Sequence, residues 1–188
     1  AKRQGVKRIL HLSSVHAVME VPLQEPFDET RPYKTARSFR YDHSKAVGEQ
    51  IMLDGTRDGT IEVIILRPSA VIGPFDFKPS ELGKALLDFY HEKIPLLPQG
   101  GYNFVDVRDV AMSIVNTIEK GRPGEVYLLS GQYYTMKELA KKIRKVSGVR
   151  IPSLSLSFSV LKLLLPFVQL YSFITRSDPL YSIESITA

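Results

Sequence analysis

The sequence predicts an α/β fold built on a parallel sheet, on three observations. Short apolar runs at 6–12, 61–66, 104–107 and 125–130 alternate with stretches whose apolar residues recur at helical spacing, and strands alternating with helices fold into parallel sheets. The run Ile61–Leu66 (IEVIIL) is nearly continuously apolar, as a strand covered on both faces must be. Thr135 and Glu138 form a capping-box pattern that opens a helix, and Gly148 stands where that helix would close. At 188 residues the chain is long enough for one sizeable core with a small appended subdomain.

The elements follow in order. Val6–Leu12 (VKRILHL) alternates and ends at Ser13-Ser14, which reads as a strand. Residues 20–40 hold three prolines and several charges without a period, a loop long enough to have a function. Tyr41–Leu53 places Val47, Ile51, Ala46 and Leu53 on one side, a helix with that side inward, and Gly55 can stop it. Strand 61–66 ends at Arg67-Pro68, and Ser80–Lys93 repeats Leu82, Ala85, Leu86 and Phe89 as an amphipathic helix. Phe104–Val107 is a short strand, Asp109–Lys120 a helix with Asp109 available as its cap, Glu125–Ser130 a strand, and Thr135–Val146 the last clear helix.

Composition narrows the function classes. Hydrophobic residues at 44% and charged residues at 24% are ordinary for a globular protein. A net charge of +5 is compatible with an anionic ligand but says little by itself. The absence of cysteine excludes disulfides and thiolate zinc sites, and fits the reducing, cytoplasmic location that is expected. Ala1–Arg8 is basic and has no apolar run behind it, so no signal peptide is expected. His11, His16, His43 and His91 lack metal-ligand spacing, and no metal is expected. Lys137, Lys141, Lys142, Arg144 and Lys145 read as a solvated helix face rather than a nucleic-acid patch, since no aromatic residues interleave with them. Phe158–Ile174 is the most apolar stretch; interrupted by Lys162, Pro166 and Gln169, it falls short of the roughly 20 residues that span a bilayer. It reads as a core or pocket helix rather than an interfacial membrane contact.

The chemistry-bearing pattern is Ser14 at a strand end with Tyr41 and Lys45 further on. Tyr-x-x-x-Lys occurs twice, at Tyr41/Lys45 and at Tyr133/Lys137. Only the first pair falls within one predicted helix, one turn apart on the same side; Tyr133 precedes the Thr135 cap. Ser13-Ser14 sits at the carboxyl end of a strand, where open parallel sheets place ligands. A phenol ordinarily titrates near 10. A neighbouring ammonium favours the phenolate, so that Tyr41 can exchange a proton with a substrate oxygen held by Ser14. On spacing alone, a surface tyrosine beside a solvated lysine remains the competing reading.

Four ordered segments shift that balance: VKRILHLSSVHAV (6–18), YDHSKAVGE (41–49), LRPSAVIGPFD (66–76) and NFVDVRDVA (103–111). Together they resemble the extended short-chain dehydrogenase/reductase family, in its NAD-dependent epimerase/dehydratase branch with dihydroflavonol-reductase-like and 3β-hydroxysteroid-dehydrogenase-like members. The resemblance covers most of residues 6–150. It implies the C-terminal part of a Rossmann-type parallel sheet over residues 1–75, and a small α+β substrate-binding subdomain over 76–188, with about 103–131 returning to the sheet.

The resemblance also implies an NAD(P)-dependent oxidoreductase, in which hydride passes between NAD or NADP and a small carbonyl or alcohol substrate. It assigns Ser14, Tyr41 and Lys45 to catalysis, and Ser13, Tyr41, Lys45, Pro68, Ser69 and Val71 to the cofactor. His16, Phe75 and Phe77 fall at substrate positions, and Asp106 and Asp109 hold the loop and cap the helix. A homodimer through helices is a family habit, and no nucleic-acid partner is implied.

Two departures matter. The family's Gly-x-x-Gly-x-x-Gly loop does not occur in this sequence, which starts near the family's fifth strand, so this chain by itself is expected neither to hold a dinucleotide tightly nor to turn over substrate. The choice of NAD or NADP is likewise read outside it. Sugar-nucleotide epimerases and dehydratases carry asparagine where Ala70 follows Arg67-Pro68-Ser69, which favours a simple reductase. The alternatives are such an epimerase or dehydratase, or a non-catalytic dinucleotide-binding regulator.

Overall fold

In the computed structural model, residues 1–152 are described, together with the backbone of a two-residue strand, Ser155–Leu156; the stretch Phe158–Ile174 lies outside the described residues. The chain divides into two units, Ala1–Pro74 with Asn103–Gln132 and Phe75–Tyr102 with Tyr133–Ala188.

The first unit is a parallel sheet. Strand β1 (Arg8–Leu12) leads through a 3₁₀ turn at Val15–Ala17 and the long loop to helix α1 (Arg40–Asp54). Strand β2 (Glu62–Pro68) lies between β1 and a later strand, β6 (Val126–Leu129), parallel to both; Leu10 faces Ile64, and Leu66 faces Tyr127. Val63, Ile64, Ile65 and Leu66 are buried in succession, so both faces of β2 are covered, as its unbroken apolar run requires. On one face Ile61, Val63 and Ile65 pack with Ile9, Met52, Leu53 and Val126, which seats the end of α1. Helix α3 (Val107–Lys120) packs against the same sheet, and Ile64 reaches its end at Gly121, where an added Cβ would stand 2.7 Å from Ile64 Cδ1 and 2.6 Å from the Thr117 carbonyl oxygen. Each such buried aliphatic side chain contributes about 1.5–3 kcal/mol.

Beyond β2, a short strand β3 (Ala70–Ile72) pairs in parallel with the end of β5 (Gly101–Asp106), Val71 facing Val105. In the second unit, helix α2 (Glu81–Tyr90), strand β4 (Leu97–Pro98) and helix α4 (Met136–Ser147) enclose a core of Phe89, Leu97 and Ala140 with Ile94, Ile143 and Ile151 around it. Strand β7 (Gln132–Thr135) runs into α4, and β4 pairs with β8 (Ser155–Leu156). Both bonds of the Thr135–Glu138 capping box form, at 2.8 and 3.2 Å, and Gly148 takes the left-handed conformation, φ 75°.

Three expectations are corrected. The inward face of α1 is Asp42, Ala46 and Glu49, whereas Val47 and Ile51 are exposed; a polar stripe turns inward because charged partners await it. Asp106, not Asp109, caps α3: its carboxylate accepts from the Arg108 N–H at 2.8 Å, and the helix starts two residues early. Pro68 is the last residue of β2 rather than its stop, still in register with Leu129 of β6. The short strands β3, β4 and β7 carry too few residues to show a period.

Candidate active site

The site is built where the parallel strands end. One residue past β1, the Ser13 N–H donates to the Leu66 carbonyl at 2.8 Å, so the ladder with β2 continues to the edge of the sheet. The Ser13 side chain is buried and its Oγ has no hydrogen-bond partner among the described residues. Ser14 is extended and caps the Val15–Ala17 turn, its Oγ accepting from the His16 N–H at 3.2 Å. Ala17 and Val18 are fully buried, which anchors the turn in the core.

Helix α1 packs against this turn. Tyr41, in its first turn, is 56% exposed, and the His16 ring meets it edge-on with centroids 6.1 Å apart. Lys45, one turn on, places Nζ 5.5 Å from the Tyr41 ring centroid. The Ser14–His16 bond and the two ring contacts link Ser14, His16, Tyr41 and Lys45.

Beneath them lies a charge network absent from the sequence reading. Asp42, buried in the first turn of α1, accepts from Lys34 Nζ at 3.0 Å, and Lys34 also donates to Glu20 at 2.6 Å. The Lys34 N–H donates to the Ala17 carbonyl at 2.9 Å, which fixes the lysine's backbone to the same turn. Burial opposes the Lys34 ammonium, but the two carboxylates outweigh it and raise its pKa above the usual value. His16 Nδ1 stands 3.7 Å from Asp42 Oδ1. His16, Glu20 and Asp42 bring possible metal-ligand atoms within 4.8 Å of one another, yet Lys34 already supplies the positive charge that the two carboxylates need.

One turn past Lys45, Glu49 closes on Arg67 of β2: both carboxylate oxygens accept from Nε at 3.1 Å, and Oε2 accepts from Nη2 at 2.7 Å. Both side chains are sealed from solvent, and the guanidinium lies over the Tyr33 ring at 5.3 Å while Nη1 donates to the Glu29 carbonyl at 3.0 Å. Burial works against the Arg67 charge, and the Glu49 contacts overcome it, leaving the pKa raised. Burial lowers the pKa of His11, whose orphaned Nε2 faces Gly48 of α1.

The loop before α1 is pinned at its base. Val18 and Tyr33 form an antiparallel bridge, and the Met19 N–H donates to the Pro32 carbonyl at 2.8 Å. Inside the loop the buried Arg31 guanidinium donates to the carbonyls of Pro22, Glu25 and Pro26, which supplies partners to three backbone acceptors of a loop without regular structure.

The remaining sequence-predicted residues divide. Pro68 is buried at the end of β2. Ser69 donates to Asn103 Oδ1 at 3.0 Å and Val71 lies in β3. Phe75 and Phe77 belong to the second unit, where both are exposed and their rings meet at 6.0 Å. Tyr133 is in β7 and Lys137 in α4, so the second Tyr-x-x-x-Lys does not share a helix. Asp42, Lys34, Glu49 and Arg67 were not assigned from sequence; the available signal was acidic residues at helical spacing from Tyr41 and Lys45 on a face read as outward.

The comparisons agree with this architecture. The crystal structure of gox2253 superposes with a TM-score of 0.81 at 30% identity, covering 100% of this chain and 57% of that one. A nucleoside-diphosphate-sugar epimerase from Pseudomonas aeruginosa superposes with a TM-score of 0.77 at 25% identity, over 87% of this chain and 54% of the other. "Sterol demethylase protein B" of Methylococcus capsulatus (strain ATCC 33009 / NCIMB 11132 / Bath) is 32% identical over 161 residues, 83% of this chain and 47% of that protein; the chain spans about half the length of the curated relatives it matches. The sequence pattern of the "NAD dependent epimerase/dehydratase family" matches residues 1–130, and the chain, with its Rossmann-type sheet, belongs to that extended short-chain dehydrogenase/reductase family.

Proposed function

We propose that the full protein is an NAD(P)-dependent oxidoreductase acting on a carbonyl or alcohol substrate, with Ser14, Tyr41 and Lys45 as its proton-handling group. The observation that carries this reading is the Lys45 ammonium 5.5 Å from the Tyr41 ring, on a helix packed against the turn that Ser14 caps. The bound nicotinamide would supply or accept the hydride. Ser14 Oγ already accepts the His16 N–H, which leaves its own hydrogen to donate to the substrate oxygen. Tyr41 moves the proton to or from that oxygen, and the Lys45 cation stabilises the negative charge left on the phenol. The Ser13 hydroxyl at the strand end, without a partner among the described residues, fits the polar edge of the nicotinamide side of the cofactor, and Pro68, Ser69 and Val71 lie at and just past the end of the neighbouring strand β2.

The likeness to a relative named as a sterol demethylase component directs the substrate search toward alicyclic alcohols and ketones. The likeness to a nucleoside-diphosphate-sugar epimerase supports the second reading, transient oxidation of a nucleotide sugar; Ala70, paired with Phe104 in β3, offers no amide for such a substrate.

The test is Tyr41→Phe in the full protein, assayed for nicotinamide oxidation and reduction with panels of alcohols, ketones and nucleotide sugars. Turnover falls by about 10²–10⁴ while cofactor affinity changes little. Unchanged turnover removes Tyr41 from the mechanism, and dinucleotide binding without turnover of any substrate replaces the enzyme by a regulator.

A further inference from the structure

We propose that the outer face of α4 docks the protein on an anionic membrane surface; this goes beyond the oxidoreductase reading and does not depend on it. Lys137, Lys141 and Lys145 recur at every fourth residue and so stand in one line along the helix, with Lys142 and Arg144 to either side. All five are exposed. On the opposite side Leu139 and Ala140 are buried, and Ile143 packs against the core of the second unit.

By sequence alone such a run is a solvated face; the structure adds how little opposes its charge. Among the described residues none of the five cations joins an ion pair. The one acid of the helix, Glu138, feels Lys141 and Lys142, but its carboxylate is turned to the cap, where the Thr135 N–H and hydroxyl both donate to Oε2 at 2.8 Å. Five cations against one acid give the helix a surplus of four positive charges, in a chain whose net charge is +5.

Two features favour a bilayer over a nucleic acid or an acidic protein. Val146 is 89% exposed in the last turn, beside Lys145 and ahead of the most apolar stretch of the sequence, which begins at Phe158. An apolar side chain among cations can enter the boundary between headgroups and acyl chains while the cations hold anionic lipid. Within α4 no aromatic residue interleaves with the cations to stack on a base. The attachment is peripheral and reversible, and among the described residues no helix is long and apolar enough to cross a membrane. It would place the protein beside the layer into which an alicyclic alcohol or ketone partitions.

The experiment measures co-sedimentation of the full protein with vesicles of phosphatidylcholine alone and with vesicles in which about a third of the lipid is phosphatidylglycerol. The protein binds the anionic vesicles and not the neutral ones, and binding weakens as salt rises from about 0.05 M to about 0.5 M. The variant Lys137→Gln/Lys141→Gln/Lys145→Gln binds about a hundredfold more weakly. Replacing the same three lysines by arginine keeps the binding, because the charge remains. Val146→Ser weakens binding at both salt concentrations. The wild type's own dependence on salt and lipid charge decides the electrostatic part even where a variant fails to fold. Equal binding to the two kinds of vesicle, binding to neither, or wild-type binding by the glutamine variant overturns the inference. Binding that survives both the glutamine substitutions and high salt overturns it in favour of the apolar stretch 158–174. Tighter binding to a DNA duplex than to the anionic vesicles at the same salt overturns it in favour of a nucleic acid. None of these outcomes touches the role of Tyr41, which is decided by turnover.

Discussion

Glu49 Oε2 accepts from Arg67 Nη2 at 2.7 Å with both side chains closed to solvent, which fastens the helix carrying Tyr41 and Lys45 to the strand that ends beside Ser13. A buried pair of this kind gains little over a well-packed apolar pair, but removing one partner strands a charge in the interior. Glu49→Gln or Arg67→Met is therefore expected to destabilise the fold by about 3–5 kcal/mol, and the double variant Glu49→Leu/Arg67→Met by less than the sum of the single ones. Urea unfolding of the set decides it; additive losses would mean that the two side chains do not depend on each other.

Gly131→Ala tests a close backbone approach. A Cβ at Gly131 would stand 2.0 Å from the Phe104 carbonyl oxygen and 3.0 Å from Val105 Cα, both in the backbone of β5, while its N–H donates to Asn103 Oδ1 at 2.8 Å. Backbone cannot swing aside as a side chain can, so the substitution is expected to lower stability by about 2 kcal/mol or more. A denaturation midpoint equal to that of the wild type would show that this contact is loose.

Acid stability carries the signature of Asp106. The Arg108 side chain, at 2.9 Å through Nε and 2.5 Å through Nη2, and then the Arg108 backbone N–H hold the Asp106 carboxyl at about 2, below its ordinary 3.8. The folded state therefore favours the ionised cap. Its contribution is complete above the ordinary aspartate range and is lost as pH falls through about 2. In Asp106→Asn, which can still cap a helix but carries no charge, the melting temperature should fall less steeply between pH 4 and pH 2. Parallel acid limbs in the two proteins would contradict the assignment.

Within the proposed site, Lys45→Met in the full protein removes the cation beside Tyr41 and should lower kcat by about 10²-fold or more. Lys45→Arg should restore part of the loss by keeping the charge. A Lys45→Met enzyme with wild-type rate would separate the ammonium from proton transfer.

Elements whose determinants are local were legible in the sequence. The Thr135–Glu138 box and Gly148 set the limits of α4 because cap and helix lie within one segment. The unbroken apolar run of β2 announced a central strand because burial on both faces leaves no polar alternation. The inward side of α1 was misread for the opposite reason. Glu49 and Asp42 turn in only because Arg67 and Lys34, 18 and 8 residues away along the chain, are there to receive them, and hydrophobic spacing cannot register a partner from another element. The cap of α3 was misplaced by three residues because Asp106 and Asp109 are chemically equivalent, and the end of β5 selects between them.

By itself the sequence determined the α/β class, the order of the longer strands and helices, and the residue types able to move a proton at a strand end, since each follows from periodicity, local capping chemistry and side-chain identity. Only the tertiary structure decided that α1 is held by a buried ion pair, that Lys34 occupies the acidic pocket beneath Tyr41, and that His16 stands between Ser14 and the phenol. Those are contacts between segments far apart in the chain, and their free energy exists only once the sheet has brought them together.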